Sequence, residues 1–182
     1  MKKNLFILIL IIITFALLLT IYLSKGSYKG PSEAPEIDII ISNSDPATSY
    51  SEIVDSIILL NQWNGAKYDR LSSMQAINDK YTDEEPVPLG KVGQKVMIDF
   101  GKYKPDTVKL IKQYRVSNDD VEHSMPMEVD LIREKPTVFS YQLPENSIDA
   151  LTDQYVFTLT VTWGHNSTDY TFCIEVQNNE DK

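Results

Sequence analysis

The sequence predicts an all-β domain, an immunoglobulin-like β-sandwich, carried behind a single N-terminal transmembrane helix. Three observations lead there. Residues 5–23 run without a charge. Residues 155–163 and 170–176 alternate apolar and polar side chains with the period of a half-buried strand. One cysteine in the whole chain leaves an ordinary hydrophobic core, not a disulfide scaffold, as the source of stability. A chain of 182 residues suffices for one such domain and an anchor.

The anchor is interrupted only by Thr14 and Thr20. A helix over 5–23 spans roughly 28 Å at about 1.5 Å per residue, close to the hydrocarbon thickness of a bilayer. It has no polar face, which a globular core helix of that length would need. A cleavable signal peptide has a shorter apolar region and an A-x-A-like site; Ile21-Tyr22-Leu23-Ser24-Lys25-Gly26 offers none, and no cysteine follows to make a lipobox. Residues 1–4 are therefore expected as a cytoplasmic tail, 5–23 as a signal-anchor, and 24–35, rich in Gly, Ser and Pro, as a linker. Residues 36–178 form the expected domain and 179–182 a tail. Lys2 and Lys3 before the helix nearly balance Lys25 and Lys29 behind it. The signal-anchor layout sets the expected orientation: single-pass in the cell membrane, with the C-terminal domain extracytoplasmic.

Those four lysines are the only charges in the first thirty residues, so 13 of the 17 basic residues face all 26 acids in the remainder, a net of −13. Such a domain repels phosphate backbones, which excludes nucleic acid as a partner class. It stays near anionic lipid only if tethered.

Along the chain, residues 37–41 read as an edge or first strand. Residues 52–63 fit either a strand or a helix capped by Ser51, and the Ile-Ile-Leu-Leu content favours a strand over 56–63. Residues 72–78 read as a short helix, and 81–88, with Asp83-Glu84-Glu85 and two prolines, as a loop. Residues 94–100 and 106–116 are strands separated at Pro105. Residues 127–133 and 137–142 follow, with Glu134-Lys135-Pro136 between them. The closing hairpin pairs 155–163 with 170–176 across a polar turn over 164–169. About eight strands with little helix make a sandwich.

The block Lys91-Val92-Gly93-Gln94-Lys95-Val96-Met97-Ile98-Asp99-Phe100, the step Lys104-Pro105-Asp106-Thr107-Val108 and the final hairpin resemble uncharacterised exported surface proteins and lipoproteins of low-GC Gram-positive bacteria. Trp63-Asn64-Gly65 and Tyr68-Asp69 extend the likeness. It covers residues 37–176 and implies an exported β-sandwich with no defined activity. The lipobox cysteine of the lipoproteins is absent, which leaves anchoring to the helix.

Residues that carry chemistry are sparse. His123 and His165 lack metal-ligand spacing such as H-E-x-x-H and have no cysteine cluster beside them. No G-x-S-x-G elbow or phosphate-cradling glycine loop occurs. Asp119, Asp120 and Glu122 are the densest carboxylate group, oxygen ligands of the kind that hold calcium; they lack EF-hand spacing, so an unliganded solvated turn is expected and no cofactor is assigned. Trp163 continues the face of Phe157 and Leu159 into the core, whereas Trp63 is also compatible with a sugar-stacking platform. Cys173 lies opposite Phe172 and Ile174: a buried filler if something covers that face, a cross-linking thiol if nothing does. Asn166-Ser167-Thr168 is formally a glycosylation sequon, read as chance.

No catalytic set being visible, the expected function is non-enzymatic: a protein- or glycan-interaction module binding through sheet edges or through loops 81–88 and 116–125. The alternative class is a cell-surface protease inhibitor or enzyme accessory domain, presenting an extended loop to a cleft.

Overall fold

The structure, a computed structural model, describes residues 13–15, 30–42, 51–67, 72–82, 85–115, 125–144 and 152–177. The chain divides into two compact units, Met1–Gly30 and Pro31–Lys182. In the first, residues 13–15 are helical; the rest of the 5–23 run lies outside the described residues. Among the described residues no helix is long and apolar enough to cross a membrane.

The second unit contains β1 (Asp38–Ser42), β2 (Ser51–Ile53), β3 (Ile57–Trp63), β4 (Ala66–Lys67), α1 (Ser73–Lys80), β5 (Leu89–Lys91), β6 (Lys95–Asp99), β7 (Thr107–Tyr114), β8 (Met127–Val129), β9 (Ile132–Lys135), β10 (Val138–Gln142), β11 (Thr152–Trp163) and β12 (Asn166–Gln177). They form a five-stranded sheet, β2-β1-β6-β10-β9, and a seven-stranded sheet, β4-β3-β12-β11-β7-β8, with β5 parallel to the end of β12. The two sheets enclose one core, so the fold is β-sandwich-like. Ile39, Val96, Ile98 and Phe139 face it from one side; Leu110, Phe157, Leu159, Val161, Tyr170, Phe172 and Ile174 face it from the other.

Aromatic rings set its centre. Trp163 meets Trp63 and Phe100 edge-on, each at 5.9 Å between centroids, and Phe157 stacks on Phe172 at 5.1 Å. Such pairs add about 0.5–1.5 kcal/mol each beyond their burial. Trp63 is therefore a core residue and not a sugar platform. Its Nε1 donates to the Ser32 carbonyl at 3.0 Å, and the Tyr170 hydroxyl donates to the Pro35 carbonyl at 2.6 Å. The end of the expected linker is thus docked on the domain from Pro31 onward.

Several elements differ from the sequence reading, each for a local reason. β1 is the first strand, one of the two alternatives read, and it is not an edge because Ser51–Ile53 pairs with it on the side away from β6. The strand expected over 127–133 is two: β8 belongs to the larger sheet and β9 to the smaller, with the chain crossing at Asp130 and Leu131. The final hairpin turns in two residues, Gly164 and His165, with Trp163 opposite Asn166. Gly164 takes φ +60°, the first-position left-handed conformation of a type II′ turn. Asn64 and Gly65, at φ 50° and 82°, make a second tight hairpin that joins β3 to β4. Asn-Gly is the strongest short-range hairpin signal, because both positions tolerate the positive φ that a type I′ turn needs.

The short helix lies where the sequence places it. Ser72 is its N-cap, with the side chain accepting from Gln75 N at 3.1 Å. At eight residues α1 is too short to stand alone in water. It is held by its tertiary face: Met74, Ile77 and Tyr81 pack on Ile57, Val156 and Cys173, on the outer side of the larger sheet.

Candidate functional site

Where α1 ends, its cap residue Tyr81 turns the chain down against the sheet, donating its N–H to the Ile77 carbonyl at 2.8 Å. Residues 85–88 then run along the sheet to β5. Beneath this path, the outer face of the larger sheet presents one cross-strand row. Arg115, just past β7, donates its backbone N–H to the Gln154 carbonyl at 2.8 Å. Gln154 of β11 stands opposite Glu175 of β12, and Glu175 opposite Leu89 of β5. Residues two apart in these strands share a face, so the row lies on the same side as Val156 and Cys173.

The row is hydrogen-bonded end to end. Arg115 Nε donates to Asn78 Oδ1 at 3.0 Å, Nη1 to Gln154 Oε1 at 3.0 Å and Nη2 to the Tyr81 carbonyl at 2.5 Å. Gln154 Nε2 donates to Glu175 Oε2 at 2.7 Å. Between this row and the loop lies a cleft of about 550 Å³, with Tyr81, Glu85, Val87 and Leu89 on the loop side and Arg115, Gln154, Glu175 and Gln177 on the sheet side. The volume falls within the range of small-ligand sites, about 300–1,000 Å³.

The protonable groups behind the cleft are held neutral. Burial, aided by the nearby Cys173, Asp55 and Glu85, pushes the Tyr81 hydroxyl up to about 12, against the lowering pull of Arg115. Burial likewise pushes the Cys173 thiol up to about 12. A thiol so placed is not the nucleophilic thiolate that cysteine chemistry requires. Cys173 is fully buried because α1 covers its face, so it is a filler and not a cross-linking thiol.

Other residues singled out in the sequence are placed as follows. His165 is exposed at the tip of the β11–β12 turn. Asn166 is tied through its Oδ1, which accepts from Asn64 N at 3.0 Å, and Thr168 of the sequon is buried, donating to the Leu59 carbonyl. Asp169, read as a turn residue, is buried within β12 opposite Leu59 and Thr160. Asp119, Asp120, Glu122 and His123 lie outside the described residues. Among the described residues no group of three or more His, Cys, Asp or Glu side chains is placed to hold a metal. From the loop over 81–88, Tyr81, Thr82, Glu85, Pro86 and Val87 line the cleft. Arg115 and Glu175 are legible in the sequence only as strand residues, and Gln154 falls one residue before the expected strand 155–163; Arg115, one of three arginines in the chain, is the single signal available.

Fold and cleft together define a β-sandwich with a polar recess at the helix-covered end of one sheet. Comparison with protein-family models, curated proteins and solved structures finds no match for this chain.

Proposed function

We propose that this chain is a membrane-tethered, extracytoplasmic interaction module: an immunoglobulin-like sandwich, held by its N-terminal apolar helix, that binds a partner through the Arg115 cleft and performs no catalysis. The observation that carries the reading is the cleft itself. A loop and three strand ends distant in sequence meet around a recess of ligand size, with its polar side chains fixed by one another. Support for tethering comes from the charge-free run over 5–23. The same run fits the exported proteins of low-GC Gram-positive bacteria that the strand motifs resemble.

Two measurements on the full-length chain in intact cells test this. Protease added outside should remove the domain; complete protection reverses the topology. A photo-crosslinking residue at Leu89, on the cleft wall, should give a discrete adduct that the same group at Lys102, far from it, does not. Absence of a Leu89-specific adduct removes the interaction reading.

A further inference from the structure

The Arg115 cleft also carries a preference of charge. All three acceptors around the guanidinium, the Asn78 and Gln154 side-chain oxygens and the Tyr81 carbonyl, are neutral. Its positive charge is thus oriented but meets no carboxylate directly among the described residues. Of its five N–H groups three are used, leaving one on each terminal nitrogen. Two carboxylates, Glu85 and Glu175, line the same recess. Glu175 gives one oxygen to Gln154 and keeps the other. Positive and negative recognition groups thus face one space.

We infer that this cleft is a receptor for a zwitterionic ligand of the dipeptide class, with its carboxylate on Arg115 and its ammonium between Glu175 and Glu85. The inference rests on the interaction reading above and names the ligand. A simple anion meets two carboxylates and a domain of net charge −13, and a simple cation meets Arg115; a ligand carrying both charges avoids each penalty. The spacing agrees. Arg115 and Glu175 lie in strands two apart, so their backbones are about 9.6 Å from each other. The ends of an extended dipeptide are about 7 Å apart, a length of the same order, so such a ligand can lie across the row with one end at each charged side chain. Val87 and Leu89 supply an apolar wall for small side chains.

Titration calorimetry of the full-length protein in detergent micelles tests it with three probes: alanyl-alanine, its N-acetyl form and its C-terminal amide. Saturable heat is expected for alanyl-alanine, with binding roughly tenfold or more weaker for each blocked form, as loss of one charge-assisted contact requires. Glu175→Gln, which keeps the shape and a hydrogen-bonding partner for Gln154, should weaken the dipeptide similarly. Glu85→Gln, on the exposed loop, gives a second variant that leaves the core untouched, with near-ultraviolet circular dichroism as the check on folding. No heat with millimolar dipeptide, or equal binding of all three probes, overturns the inference. If that happens while the Leu89 adduct persists, the cleft binds something else and only the ligand class is wrong; loss of both removes the interaction reading as well.

Discussion

The outer faces of the two sheets solve the same problem in opposite ways. On the larger sheet the outward residues at the centre are small, Val156, Thr158, Thr171 and Cys173, and α1 lies over them. On the smaller sheet all but the buried Ser140 are large. Ile53, Ile40, Met97, Ser140 and Ile132 follow one another strand by strand across all five strands. Ile53 is 73 % exposed and Ile132 56 % exposed. A face of small side chains admits a helix at close range and gains a buried layer; a face of long alkyl chains remains half solvated. The first therefore gains a buried layer that the second lacks, and the Arg115 cleft forms at the margin of that layer.

The β9 edge of the smaller sheet is nonetheless guarded. β9 carries Arg133 and Lys135, and its pairing with β10 shifts by a bulge beside Val138. Glu134 holds the buried Ser140 hydroxyl at 2.8 Å and Lys95 at 3.2 Å, contacts that keep its carboxyl below the usual range. Charged side chains and a bulge are devices that stop one sheet edge from pairing with another.

Substitutions that separate the two faces should differ most at the helix. Ile77→Ala removes a fully buried side chain from α1 and should cost about 2–5 kcal/mol. Urea unfolding followed by tryptophan fluorescence reads it, because Trp63 and Trp163 both lie in the core. A loss below that range would mean that α1 is not fastened to the sheet as described.

The second difference appears at high pH. Both Cys173 and Tyr81 have folded values raised to about 12, from ordinary values of 9.0 and 10.0. Their contribution to stability is full below those ordinary values and is lost as pH rises through about 12, because only the unfolded chain ionises early. The melting temperature should therefore fall above pH 9, and Cys173→Ala should flatten that fall. An unchanged slope would place the thiol in water.

A smaller effect is expected at the cap. Ser72→Ala removes the hydrogen bond to Gln75 N and should cost about 1 kcal/mol, with the amides of α1 losing hydrogen-exchange protection before those of β11 and β12. Simultaneous loss in both would tie the helix into the global unit. Smallest of all is Ile53→Ser on the bare face, where a surface substitution should stay within about 0.5 kcal/mol. A cost of 2 kcal/mol or more would show that this stripe is covered in solution.

The legibility of these parts in the sequence varies with the range of the forces involved. The final hairpin is legible in its alternating stretches 155–163 and 170–176, a local consequence of one buried face, whereas the polar residues 166–169 read as turn and belong to β12. The start of α1 is legible too, where a serine cap precedes the helix. β2, β4 and β5, at two or three residues each, are too short to show a period and exist because a neighbouring strand pairs with them. The stretch 127–133 reads as one strand because its alternation does not say which sheet each half joins. The role of Trp63 is not legible locally, because nothing nearby in sequence tells that Trp163 will meet it.

What the sequence determined alone was the strand-rich class, the acidic charge of the domain, the closing hairpin and the place of the short helix. Each follows from local periodicity, composition or capping, which act over a few residues. Only the tertiary structure decided which face α1 covers, that Cys173 lies beneath it, and that Arg115, Gln154 and Glu175 form one row beside residues 81–89. Those residues are up to 94 positions apart in the chain. They are brought together by strand register, a sum of many weak pairings that no single segment encodes.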